Sequence, residues 1–324
     1  MRLPHETGFQ FFQEQFHQRW QHLNNPHVRA LAWLLESPDL LDLKSPLWEG
    51  KIVSLESDPD FIHNWLSELD YFPERLEAWL SVQAYTRLGR YAEKLLAFYL
   101  HQSDCLMAHG LQIRSEKRET IGEFDFLLKH GEAIRHWEFA TKFYLLCTEH
   151  TALETAHQAD YFVGPNLADT LGSKVRKILD KQLSLATHPA ALAQLPGPIE
   201  SSQALIKGWL FYGDDSHPDY EGLGLSKNHC RGFWCTLSEL EQRPEEQFVI
   251  LPRLKWLAPT KAALPDLLDR KCLQNQVAEK FRHETMPVLV SAVSADKEAA
   301  LETARGFIVP DDWRERAGQR ISHF

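Results

Sequence analysis

The spacing of apolar and polar positions changes along the chain, and each change marks an element. Over residues 1–85 the runs FFQEQFHQRWQHL, VRALAWLLESPDLL, FIHNWLSELD and ERLEAWLSVQ carry apolar residues at helical intervals, with Pro26, Pro38 and Pro73 at their boundaries. Leu43 to Ser57 is looser and reads as a loop or a short strand. RLGRYAEKLLAFYL predicts a helix whose apolar stripe, Leu88, Ala92, Leu95 and Tyr99, is widened by Leu96 and Leu100. Glu93 falls at the margin of that stripe, either half buried against a partner or solvated beside Lys94. A strand around Leu111-Gln112-Ile113 and a charged loop, RSEKRE, follow.

From Ile121 to Leu145, IGEFDFLLKHGEAIRHWEFATKFYL, the period drops to two on either side of Lys129-His130-Gly131-Glu132, which predicts a β-hairpin. ETAHQ then leads to LADTLGSKVRKILDKQLSLA, a long predicted helix with Lys174, Lys177 and Lys181 in a row at i, i+3 and i+7. A strand is expected at about 203–212, and a long Gly/His/Asp loop over 213–234. QFVILPRLKWL and PVLVSAV read as strands, ADKEAALETAR as a helix with an alanine packing face, and GFIVP as a last strand. The expectation is an α/β protein with a helical region over 1–85, a core over 86–215 and an α/β extension over 216–324.

Composition narrows the class. The 324 residues are 44% hydrophobic and 25% charged, as in ordinary globular proteins. No apolar run approaches the roughly 20 residues that span a bilayer. The start, MRLPHETGFQFF, lacks the basic segment and apolar core of a signal peptide, and the five cysteines have no framework spacing. A cytoplasmic protein with no membrane partner is expected. A net charge of −10 argues against general nucleic-acid adhesion but leaves room for a local basic groove. His229, Cys230 and Cys235 match no common zinc spacing.

The candidate chemistry lies in the hairpin. Alternation puts Trp137, Phe139, Thr141 and Phe143 on one face, to meet a core, and Glu138, Ala140 and Lys142 on the other. Asp125, Glu138 and Lys142 can then converge, with Glu123 as a near neighbour. Two carboxylates from adjacent strands make a hard oxygen site suited to Mg²⁺ or Mn²⁺, and a lysine beside them can position water and offset charge on a phosphorane. The same residues also fit an ion-pair ladder on a solvated sheet face. The lysine row fits either phosphate tracking or a plain solvated helix face. No Walker loop and no GxSxG elbow is present.

The order of helix, strand, hairpin, helix and strand over about 86–212 resembles the PD-(D/E)XK nuclease superfamily, whose core is αβββαβ. LGRYAEKLLAFYL, GEFDFLL, HWEFATKFYL and GFIVPDDW resemble the bacterial DUF1853 family, which is assigned to that nuclease-like group. The resemblance implies a restriction-endonuclease-like core that hydrolyses phosphodiester bonds in DNA or RNA. It implies that Asp125 and Glu138 bind Mg²⁺ or Mn²⁺, that Glu93 completes the metal shell, and that Lys142 is the catalytic lysine. Lys174, Lys177 and Lys181 would follow nucleic acid. The superfamily's usual lysine position, two residues after Glu138, holds Ala140. Lys142 stands one residue pair further on, ~7 Å along the strand, and Lys174 is the alternative amine. The other function carried by the same resemblance is a non-catalytic nucleic-acid-binding or protein-interaction module on a degenerate nuclease fold.

Overall fold

The computed structural model describes residues 12–56, 58–82, 85–147, 158–213 and 218–321. Its centre is one mixed sheet in which the strands run β1 (Leu106–Arg114), β2 (Thr120–His130), β3 (Ala133–Leu146), β5 (Ile199–Tyr212), β6 (Cys230–Thr236), β11 (Ala300–Val309), β10 (Val288–Ala295), β7 (Gln247–Ile250), β9 (Leu268–Asp269). Two short strands lie off this path: β4 (Phe162–Val163) pairs with β3, and β8 (Lys261–Ala262) with β11. The middle ladders, β3 to β5, β5 to β6 and β6 to β11, are parallel, and the outer ones antiparallel.

The helices divide between the two faces, as period-two burial of the strands requires. One face packs on α1 (Phe12–Trp20), α2 (Pro26–Glu36), α3 (Pro59–Tyr71), α4 (Glu74–Leu80), α5 (Leu88–Gln102) and α9 (Trp313–Ile321). Phe143, Leu145, Trp209, Phe211, Phe307 and Val309 supply the sheet side of that layer. Ala140, Tyr144, Leu146, Leu210 and Tyr212 point the other way, against α6 (Leu171–Lys177) and the turns after it. Further along, α8 (Arg270–Phe281) covers Phe233, Phe248, Val290 and Ile308. A four-residue helix, α7 (Pro189–Leu192), helps close the space under the hairpin.

The four N-terminal helices, α5, the hairpin and the 203–212 strand match the sequence pattern. Asn25 and Asp58 cap α2 and α3, with Pro26 and Pro59 at the first helical position. Elsewhere the structure differs. ADKEAALETAR is not a helix; its second half is the start of β11, paired along β10 and burying Ala300 and Glu302. Here alanine's helix propensity yields to strand pairing and burial, because tertiary context outweighs a preference of this size. The long basic helix is also not continuous. α6 stops at Lys177, a π turn runs from Ile178 to Gln182, and a 3₁₀ turn from Leu183 to Thr187. The expected loop over 213–234 ends in β6, while residues 214–217 and most of the ETAHQ stretch lie outside the described residues. No helix among the described residues is long and apolar enough to cross a membrane.

Candidate functional site

The site forms where the sheet splits. β2 pairs with β3 only from Phe126 opposite Trp137 to His130 opposite Ala133. Beyond that point β2 stays with β1 and β3 with β5. Asp125 is the first residue past the last β2–β3 pair. Its Oδ2 accepts the backbone N–H of Phe139 at 2.9 Å, a donor that has lost its ladder partner.

The fork lets carboxylates reach one place from different sides. Glu93 comes from α5, whose Leu96, Ala97 and Leu100 pack on Phe126, Leu128 and Leu205. Burial of that stripe turns Glu93 inward at its margin, where it accepts from His109 Nε2 on β1 at 2.8 Å. Arg90, one turn earlier on α5, lies 3.9 Å from Glu93 and 3.5 Å from Glu123. Oxygen atoms of Glu93, Glu123 and Asp125 all lie within 4.8 Å of one another, the one such acidic or metal-ligating trio among the described residues. Glu123 is the member to which spacing and resemblance assign no role. Only its place two residues before Asp125, on the same strand, marks it.

Glu138 meets Asp125 from the other face. It is fully buried, at 1% exposure, and both of its oxygens are engaged. Oε1 lies 2.9 Å from His136 Nε2, and Oε2 accepts from the Gln182 amide. Ser202 donates its hydroxyl to the carbonyl of Leu183 and therefore accepts from His136 Nδ1 at 2.5 Å. That arrangement assigns the imidazole proton to Nδ1 and leaves Nε2 as the acceptor of a proton on Glu138.

The protonation behaviour follows from burial. Desolvation, then the charge of Glu138 and that of Glu93, push Asp125 up to about 7, against the pull of the Phe139 N–H. Desolvation also pushes Glu138 up to about 7, although a hydrogen bond from Asp125 and the Lys174 charge favour its ionised form. Burial takes His136 down to about 4, so the imidazole is neutral. Asp125 and Glu138 thus form a coupled pair that retains a proton close to neutrality.

The lysines separate. Lys142 shares a strand face with Glu138, but its Nζ donates to Asp169 Oδ2 at 3.0 Å, and the Tyr144 hydroxyl donates to the same oxygen at 3.3 Å. It lines an open cleft of about 460 Å³ with Arg87, Gly89, Asn166 and Arg253. Lys174 is half-buried, whereas Lys177 and Lys181 are exposed. Lys174 Nζ donates to Gln182 Oε1 at 3.2 Å. Desolvation pulls Lys174 below the ordinary lysine value, aided by the charges of Lys142 and Lys177 and opposed by those of Asp125 and Glu138. His229, Cys230 and Cys235 do not assemble: His229 bonds to Tyr212, while Cys230 and Cys235 enter cores on opposite faces of the sheet.

An all-carboxylate donor set suits a small hard cation, and the trio's spacing allows one ion to touch three oxygens. Comparison with curated proteins and with solved structures returns no match. The family model described as "Domain of unknown function (DUF1853)" matches residues 29–309, and the chain belongs to that family.

Proposed function

We propose that the protein is a Mg²⁺- or Mn²⁺-dependent hydrolase of phosphodiester bonds in DNA or RNA, built on a restriction-endonuclease-like core. The observation that carries this reading is the fork: Asp125 stands where β2 and β3 part, and Glu93 and Glu123 meet it within 4.8 Å. The order α5, β1, β2, β3, α6, β5, with β3 and β5 parallel, supports the same core. Asp125, Glu93 and Glu123 would hold the cation, and Glu138, once ionised, adds a fourth negative charge beside them. A divalent cation held there would supply Lewis-acid stabilisation of phosphoryl oxygens and would make water a better nucleophile at neutral pH.

The chain's own groups set the conditions for the step. The Phe139 N–H fixes the Asp125 carboxylate, and His109 fixes Glu93. In the hydrolysis a water oxygen bonds to phosphorus and the bond from phosphorus to the leaving sugar oxygen breaks. One water proton passes to a carboxylate or to solvent, and the leaving oxygen takes up a proton. Exposed Lys177 and Lys181 lie where a backbone phosphate could follow α6 and its π turn.

A second reading, a nucleic-acid-binding module without catalysis, draws on one observation: both oxygens of Glu138 are already engaged by His136 and Gln182. Incubating the protein with single- and double-stranded DNA and RNA, with Mg²⁺ or Mn²⁺, separates the two. Cleavage that Asp125→Asn abolishes supports the hydrolase. Binding without cleavage supports the module, and neither binding nor cleavage overturns both.

A further inference from the structure

Two lysines compete for the place beside the carboxylates, and the helix after the hairpin decides between them. In an unbroken α-helix a residue eight positions on stands about 80° further around the axis. Lys174 and Gln182 are eight apart, yet their side chains bond at 3.2 Å. The π turn from Ile178 to Gln182 slows the angular advance and brings Gln182 back above Lys174. An ammonium can only donate, so Gln182 must present Oε1 to Lys174, and its NH₂ is then turned to Glu138 Oε2. The amide couples the amine to the acid in one fixed orientation.

The base of this helix is held tightly. Thr170 and Ser173 form a reciprocal cap, and buried Asp160 accepts from the Thr170 hydroxyl, from Ser173 N at 3.0 Å and from Arg176 at 2.9 Å. Lys142 is tied elsewhere, to Asp169, whose carbonyl also accepts from Gly164 N at 2.9 Å. Its ammonium therefore braces the 164–169 segment against β3.

We propose that Lys174, and not Lys142, is the amine of the carboxylate site, and that Lys142 is a strut for the 164–169 segment. The chemistry given to Lys174 rests on the hydrolase reading; its placement rests on the Lys174–Gln182–Glu138 chain alone. At the reacting phosphate its ammonium offsets the charge that develops on a non-bridging oxygen, and no bond to Lys174 forms or breaks.

Two measurements on the whole 324-residue chain test this. In Mn²⁺-dependent cleavage, Lys174→Met should lower kcat about 100-fold or more with KM within about 3-fold. Lys174→Arg should restore part of the loss. Lys142→Met should instead lower Tm and keep kcat within about 5-fold. Loss of kcat in Lys142→Met but not in Lys174→Met overturns the proposal. The second readout needs no cleavage: competitive acylation with acetic anhydride, read at each lysine by mass spectrometry. On Asp125→Asn the Lys174 rate should change more than about 3-fold relative to Lys177, and the Lys142 rate should stay constant. A wild type that cleaves nothing overturns the hydrolase reading, and acylation still judges the placement. Lys174 indifferent to Asp125→Asn, or Lys142 responding in its stead, overturns it.

Discussion

Asp125 Oδ2 stands 2.9 Å from the backbone nitrogen of Phe139, so a side chain of β2 satisfies an N–H of β3 that the β2 backbone has left behind. The contact closes the fork between the strands and holds the carboxylate over the gap. It also ties the carboxylate's charge to the packing of the sheet.

The first expected outcome is a pH dependence. Burial raises Asp125 and Glu138 to about 7, above the 3.8 and 4.5 of free carboxyls. Such a group binds its proton more tightly when folded. Its contribution to stability is complete below about pH 4 and is lost as pH rises through about 7. Asp125→Asn removes one of the two charges and keeps an amide in its place. In urea melts without metal, the variant should be more stable than wild type at pH 8 by on the order of 1–3 kcal/mol. The gap should close by pH 5. A variant less stable than wild type at both pH values would mean that the Phe139 contact outweighs the charge strain.

Much of this site was legible because carboxylates at mid-strand positions of a period-two pattern are costly to bury unless they pair or hold a ligand. Asp125, Glu138 and Glu93 could be named from spacing and resemblance. Glu123 could not be ranked, because its approach to Glu93 depends on β2 leaving β3, and no residue type announces where a ladder ends. The inward turn of Lys174 was hidden for a similar reason: the row at 174, 177 and 181 assumes regular helical advance, which the π turn breaks. α8 carries no clear apolar stripe, since only Leu273 and Val277 of its twelve residues are buried. The alanines of ADKEAALETAR give the stretch helix propensity, while Glu302 and Arg305, an ion pair buried in the core, need the strand.

The second outcome concerns metal. Mn²⁺ calorimetry should show one weak site in wild type and none in Asp125→Asn. A cation competes with the proton that the Asp125–Glu138 pair retains near neutrality, so affinity should rise with pH through about 7. A titration unchanged by the substitution would remove Asp125 from any metal site.

A third outcome tests the approach of β3 to β5. A Cβ placed on Gly208 would run into the carbonyl oxygen of Lys142, backbone that cannot swing aside. Gly208→Ala should cost about 2 kcal/mol or more, by forcing the two parallel strands apart. Gly50, with open space around it but a φ of +73°, gives a contrast in which backbone strain acts without a clash. Gly50→Ala should cost about 1 kcal/mol. Denaturant melts of both variants give the comparison, and equal losses would show that the strands can yield.

The fourth outcome concerns the exposed lysines. Lys177→Ala and Lys181→Ala should each weaken nucleic-acid binding to all sequences alike and reduce the salt slope by about one unit. Fluorescence anisotropy across a salt series measures both. Affinity and slope equal to wild type would make the row an ordinary solvated face.

The last outcome separates Glu93 from Glu123. Both lie within 4.8 Å of Asp125 and both have Arg90 nearby, at 3.9 Å from Glu93, yet their remaining partners differ. Glu93 accepts from His109 at 2.8 Å and has little exposure, whereas Glu123 has Arg90 at 3.5 Å and Gln112 at 3.3 Å on a more open surface. A glutamine at 93 keeps an acceptor for His109. Glu93→Gln should therefore leave metal-free stability within about 1 kcal/mol of wild type, and so should Glu123→Gln. The two variants should diverge when Mn²⁺ is added. Glu93 is fixed by His109 before any cation arrives, so its oxygen costs little to recruit, and its loss should remove most of the metal-induced rise in Tm. Glu123 must give up water and its Arg90 contact, so its loss should remove a smaller part. Thermal melts of the three proteins across a Mn²⁺ series decide the order. If Glu123→Gln loses more of the rise than Glu93→Gln, the helix residue is a neighbour of the site, and the metal belongs to the strand acids alone.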